Sequence, residues 1–173
     1  MSIADEINFL CSAGRVHRFV PMFAAPKERR VTYVSSDIQA LLIDSWSGKA
    51  QESRWGYVRA DLESFVRDPW ITVAADSRRA GPAYMAQLQP PSDETWDIRC
   101  RDPQPGIRLL GRFALKDVFI ALTWEERLPL KDFGSTEWKE AIARCVVEWN
   151  RRFWNQPLTG SYPDGYLSGA ILQ

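Results

Sequence analysis

Between Thr95 and Trp124 the apolar and polar positions alternate with a period of two. Trp96, Ile98 and Cys100 are interleaved with Asp97, Arg99 and Arg101, the pattern of a strand with one buried and one wet face. Residues 102–106 (Asp-Pro-Gln-Pro-Gly) bring two prolines and a glycine, which is turn chemistry. Beyond the turn, Ile107, Leu109, Gly111 and Phe113 face one way, and Arg108, Leu110 and Arg112 the other. Lys116-Asp117 forms a second tight connection, and the run from Val118 to Leu122 is apolar on both faces, as an interior strand is. The pattern predicts a three-stranded antiparallel meander, and the chain is organised around it.

The rest of the chain gives a period nearer 3.6 in four places. Ser2 with Asp5 makes a capping pair for a helix to Ala13, with Ile3, Ile7 and Leu10 on one face and Gly14 as its stop. Ser36 or Asp37 caps a second, from Ile38 to about Ser45, ended by Ser47-Gly48. Leu62, Phe65 and Val66 mark a third over 60–67, before Asp68-Pro69. In the longest, 137–155, Trp138, Ile142, Cys145, Val146, Trp149 and Phe153 form one wide stripe. Short strands are predicted within 15–23, a stretch containing Phe23 and closed by Pro21 and Pro26, and over 31–34 and 70–74. Residues 49–59 read as a polar loop interrupted by Trp55 and Gly56, with a short strand at 57–58. The stretch 78–88 is open between helix and strand, and the tail 157–173 reads as irregular but pinned by Tyr162, Tyr166, Leu167 and Ile171. The expected architecture is α+β: one domain over 1–173, an antiparallel sheet with helices packed on one face, and a long C-terminal helix.

Composition narrows the classes of function. A hydrophobic fraction of 45%, a charged fraction of 25% and zero formal net charge describe an ordinary globular chain with no global pull toward nucleic acid or anionic lipid. No apolar run reaches the roughly 18–20 residues of a membrane span, and no basic leader followed by an apolar core opens the chain. Cys11, Cys100 and Cys145 are odd in number and widely spaced, which suits reduced thiols and a cytoplasmic location. Eight tryptophans are many for this length; most are expected in the core, with some on a contact surface where Trp and Arg are the usual anchors.

Local catalytic signatures are missing. Ser47-Gly48-Lys49 lacks the upstream glycine and following hydroxyl of a phosphate loop. His17 is the only histidine, and no cysteine or carboxylate–histidine spacing suits zinc, so no metal or cofactor is expected. What stands out is arginine. Arg99 and Arg101 on the first meander strand and Arg108 and Arg112 on the second share the parity opposite the apolar residues, and Arg127, Lys131, Arg144, Arg151 and Arg152 extend the set. Such a gathering calls for a compensating anion, phosphate backbone or acidic surface. The competing reading is a solvated face paired internally by Asp97, Asp102, Asp117, Glu125 and Glu126.

Two resemblances bear on this. The order of arginine-bearing strands, the strand 117–122 (DVFIAL), a basic connection and a helix, over about 98–153, is similar to the second half of RelE-type toxins, small ribonucleases that act with arginine, lysine and tyrosine side chains. At the family's aromatic-Lys-Lys segment this chain has Thr123-Trp124-Glu125-Glu126-Arg127. Separately, the segment 96–122, with its W-x-I-R and P-G-I-R-x-x-G-x-F-A-x-x-D-V-F elements, resembles a set of bacterial proteins of unknown function, over about 57–167. The leading expectation is a protein that binds another macromolecule, protein or nucleic acid, through Arg99, Arg101, Arg108, Arg112 and Arg127 with tryptophan anchors. The toxin resemblance implies an alternative, an RNA-binding endoribonuclease in which Arg99, Arg108 and Arg112 hold phosphate and His17 or a tyrosine donates a proton. A third reading is a non-catalytic homo-oligomer whose apolar C-terminal tail docks on a neighbour.

Overall fold

Ser2 and Asp5 close the reciprocal box that their spacing predicts. Ser2 Oγ accepts from the Asp5 amide at 3.2 Å, and the Asp5 carboxylate accepts from the Ser2 amide at 3.0 Å, opening α1 (Ile3–Ser12). A computed structural model describes residues 1–22, 27–44, 50–76, 78 and 81–173. The remaining elements are β1 (Val16–Arg18), β2 (Val31–Ser35), α2 (Ser36–Asp44), α3 (Ala50–Arg67), β3 (Ile71–Val73), β4 (Met85–Gln87), β5 (Trp96–Cys100), β6 (Ile107–Leu115), β7 (Val118–Glu126), α4 (Thr136–Arg152) and β8 (Ala170–Leu172). A single 3₁₀ turn at Pro91–Asp93 leads into β5. Phe23, Pro26, Trp46 and Ser47-Gly48-Lys49 lie outside the described residues.

Among the described residues, eight strands form one sheet in the order β1-β2-β7-β6-β5-β4-β3-β8. The meander β5-β6-β7 is antiparallel, as its alternation predicts, with Ile98 opposite Leu109 and Arg112 opposite Ile120. The sheet as a whole is mixed rather than antiparallel. β2 lies parallel to β7, and β3 lies parallel to both β4 and β8. β2 and β7 are far apart in the chain, so no local turn signal announces their pairing. The helices also occupy both faces, not one. Leu42, Val58, Leu62 and Phe65 from α2 and α3 pack with Trp96, Ile98, Leu109 and Phe113 on the first face. Ile7, Leu10, Trp138, Ile142 and Trp149 from α1 and α4 pack with Leu110, Ile120 and Leu122 on the second.

Two local expectations are corrected and one open reading is resolved. Of the stretch 49–59, read as a loop with a short strand at 57–58, residues 50–59 are the first half of α3. Gly56 costs about 1 kcal/mol of helix propensity, but Trp55, Val58, Leu62, Phe65 and Val66 are all buried at helical spacing, and this burial outweighs it. The ambiguous stretch 78–88 contributes the strand β4, with Met85 opposite Ile98. The tail is less irregular than it reads: Tyr166 and Leu167 are buried, and β8 adds an edge strand beside β3.

Two contacts tie the tail at Ser168 to the body of the molecule. Asp117, at φ 64° in the β6–β7 turn, accepts from the Ser168 amide and hydroxyl, each at 2.7 Å. Arg30 is buried and donates to the carbonyls of Phe65 at 3.0 Å and Asp68 at 2.8 Å, and to that of Ser168. It thereby satisfies carbonyls at the C-terminal end of α3, which have no helical partner, and draws the tail against it. The run 27–30 reads from sequence as a basic stretch, but its last member is an interior brace.

On β6, the register shifts between Leu110 and Gly111. Leu110 faces Thr123 while Gly111 faces Ala121, so Leu122 is the extra residue of a bulge. A Cβ at Gly111 would press against the Ile120 carbonyl and lie 2.6 Å from a ring carbon of Phe119. Phe119 is fully buried and has nowhere to move. Gly111→Ala is therefore expected to cost about 1–3 kcal/mol or more, read as a lower urea midpoint. A midpoint equal to wild type would contradict this close approach.

Candidate functional site

The alternation on β5 and β6 places Asp97, Arg99, Arg108 and Arg112 on one face of the sheet, the face covered by α1 and α4. Arg99 stands directly opposite Arg108 across the strand pair, an arrangement of like charges that is unfavourable by itself. Asp97 resolves it from two residues away. Its carboxylate accepts from Arg99 Nε through both oxygens at 3.3 Å, and one of these oxygens also lies 3.4 Å from Arg108 Nε. Asp97 is fully buried, and Arg99, Arg108 and Arg112 are nearly so. The expectation of a solvated arginine surface on the meander is thus corrected: the parity is right, but α4 and the connection from Arg127 to Ser135 cover this face.

Burial dominates the electrostatics. It pushes the Arg108 guanidinium down to about 10, against the pull of Asp97 and with further depression from Arg99, Arg127 and Arg101. Arg108 is still a cation at neutral pH. Arg101 joins from just past the end of β5, donating to the Gly81 carbonyl and to that of Ala83 at 2.8 Å. Arg127 joins from just past β7, donating to the Lys131 carbonyl at 2.7 Å. The guanidinium carbons of Arg99 and Arg127 each lie 5.9 Å from the Phe133 ring centroid, within cation–π range. Phe133 in turn stacks on Trp138 at 4.6 Å.

Arg112 belongs to a different neighbourhood. It donates to the Asp93 carbonyl and lies 5.8 Å from the Trp149 ring. Cys145, beside it, is pushed up to about 12 by burial although Arg112 opposes the shift. That thiol stays protonated and is no nucleophile at neutral pH. The five predicted residues therefore divide, with Arg99, Arg101, Arg108 and Arg127 around Asp97 and Arg112 apart. His17 is remote from them all. It sits on β1, three strands from β6, with its ring 3.3 Å from Ser36 Oγ. Its register partner Val34 packs into the α2–α3 face, opposite the arginines. Among the described residues, no group of three His, Cys, Asp or Glu side chains is placed to hold a metal ion, and no helix is long and apolar enough to cross a membrane.

An exposed arginine and tryptophan surface does exist, at the C-terminal ends of α1 and α4. Trp154 is 72% exposed and stacks on Phe9, itself 51% exposed, at 6.4 Å and 23°. Glu6 holds it there. This carboxylate is 1% exposed and accepts from the Trp154 amide, the Asn155 amide at 3.2 Å and Asn155 Nδ2 at 2.9 Å. Arg15, just past α1, donates to the Arg151 carbonyl at 3.1 Å and so joins the two helix ends; both arginines are exposed. Glu6 was not singled out from sequence. Its signal was available, because it falls on the stripe of Ile3, Ile7 and Leu10, where a carboxylate needs a partner.

Compared with known proteins, the chain matches no family model, no curated protein and no solved structure.

The two sides of the Asp97 cluster respond differently to substitution. Asp97→Asn leaves facing guanidinium groups buried without their shared anion and is expected to cost about 3–5 kcal/mol. Arg108→Met removes a desolvated cation, leaves Asp97 its Arg99 pair, and is expected to be near neutral or stabilising. Equilibrium urea denaturation measures both. Equal losses for the two would contradict a buried excess of positive charge.

Proposed function

We propose that the protein works by binding another protein, with Trp154 as the central anchor and Phe9, Arg15 and Arg151 around it. The observation that supports this most is the fixing of Trp154 by a buried carboxylate. An aromatic ring left exposed by poor packing has no reason to have its backbone held by Glu6. A ring held in place before binding loses little conformational entropy on contact, which is how a few rigid aromatic and arginine residues come to dominate an interface.

The surroundings suggest what the partner offers. Val147 is exposed one helical turn before Arg151. It borders a groove of about 540 Å³ between the start of α2, β7 and α4, with Leu122 and Trp124 also in its lining. The exposed Arg15 and Arg151 lie at the same helix ends, the latter paired with Glu148 at 3.7 Å. A partner with an apolar pocket rimmed by carboxylates fits this end of the molecule. This reading keeps the arginine and tryptophan chemistry expected from sequence and moves it from the meander to the end of α4. Self-association is a second reading, favoured by the edge strand β8, where Ile171 and Leu172 are exposed. The tail that was expected to dock on a neighbour has Tyr166 and Leu167 in its own core.

Trp154→Ala is expected to weaken the partner complex by about 30-fold or more, the effect of losing an interface anchor worth at least 2 kcal/mol. Its urea midpoint should stay close to wild type, because an exposed side chain contributes little to folding. Affinity capture followed by titration against the purified partner measures the first, and denaturation the second. Unchanged affinity would overturn the reading. A sedimentation coefficient that rises with concentration, and falls back on Ile171→Lys, would move the interface to β8.

A further inference from the structure

β2 and β7 run side by side over only part of their length. Their parallel pairing ends with Val34 opposite Ala121, and at Ser36 the chain turns away into α2. β7 continues to Glu126, paired with β6 on one side. From Leu122 to Glu126 its other edge has no strand beside it among the described residues. The space that a longer β2 would fill is the groove of about 540 Å³ between the start of α2, β7 and α4. Leu122, Thr123, Trp124 and Glu125 all line it. Side chains of successive strand residues point to opposite faces, so four in a row border one space only along the strand's edge.

The charges around this edge are of nearly one sign. Asp37, Glu125, Glu140 and Glu148 line the groove, against Arg144 alone. Arg144 is paired with Glu125 at 2.5 Å, and Glu148 with Arg151 at 3.7 Å and with Arg152. Glu140 is exposed and forms no ion pair among the described residues. Ala143 and Val147, one turn apart on α4, give that wall an exposed apolar stripe beside the carboxylates.

We propose that this groove takes an extended, lysine- or arginine-bearing segment of a partner protein, which adds to the outer edge of β7 as the strand that β2 is too short to supply. Strand addition draws affinity from main-chain hydrogen bonds and specificity from the side chains that alternate along the added segment. Charges at a sheet edge discourage indiscriminate pairing, and charges of one sign discourage every partner except one of the other sign. The four lining residues of β7 span about 13 Å at roughly 3.3 Å each, the length of a short linear segment. The proposal shares with the Trp154 reading only the class of partner. Trp154 does not line the groove, so the two contacts can fail separately.

The test is a titration of the full chain with a dye-labelled, amidated ten-residue peptide of alternating lysine and valine at low ionic strength. Fluorescence anisotropy reads binding, and amide hydrogen exchange reads its place. The expected result is saturable binding that slows exchange at amides of residues 122–126. The same peptide N-methylated throughout keeps its charge but has no donors for strand pairing, and should bind about tenfold or more weakly. Glu140→Lys should weaken binding of the unmodified peptide by a similar factor, because a like charge replaces an attraction. Glu140 is exposed, so its variant keeps the fold. No saturation, equal binding of a glutamate–valine peptide, or wild-type affinity in Glu140→Lys would each overturn the proposal. Undiminished binding of the N-methylated peptide would make the groove a site for cations in general, and protection of 122–126 that grows with protein concentration alone would put a second copy there; either would also overturn it.

Discussion

The carboxylate of Asp97, shared between Arg99 and Arg108, is the interaction that lets this sheet have two covered faces. Strand alternation puts the two arginines opposite each other and then buries them under α4. Two facing guanidinium groups in a low-dielectric layer repel strongly, and their desolvation costs several kcal/mol each. With Asp97 between them the face can close. Phe133 and Trp149 extend the solution, offering aromatic rings to Arg99, Arg127 and Arg112 in place of water.

Closing that face separates two roles that sequence alone merges. Arginines on the meander and arginines on α4 look like one continuous patch along the chain. In the fold, Arg99, Arg108 and Arg112 are interior and Arg101 and Arg127 half-buried, while Arg15 and Arg151 are exposed past the end of α1 and at the end of α4. The same residue type therefore occupies two different settings, buried beneath α4 and exposed past the ends of the helices.

How much of this was legible follows from the range of each interaction. The α1 capping box, the β5–β6–β7 meander and α4 rest on neighbours a few residues apart, and alternation or a 3.6-residue stripe reveals them directly. The parity of Arg99, Arg108 and Arg112 was legible for the same reason. Their burial was not, because an arginine on a strand's second face looks wet until a helix is known to cover that face, and the crossover joining β2 to β7 leaves no local mark. Gly56 misled in the opposite direction, reading as a breaker until Trp55 and Val58 are seen packed on the sheet. Glu6 lay on an apolar stripe with a partner, at Trp154 and Asn155, almost the full chain length away.

Arg99, Arg108 and Arg112 are interior cations, and Arg15 and Arg151 are solvated ones. Hydrogen exchange of the arginine Nε–H groups, resolved by ¹⁵N NMR at neutral pH, measures that distinction residue by residue. The prediction is slow exchange at Arg99, Arg108 and Arg112 and fast exchange at Arg15 and Arg151. Uniformly fast exchange at all five would show that α4 and Phe133 do not close over the cluster, and the account would fail at its base.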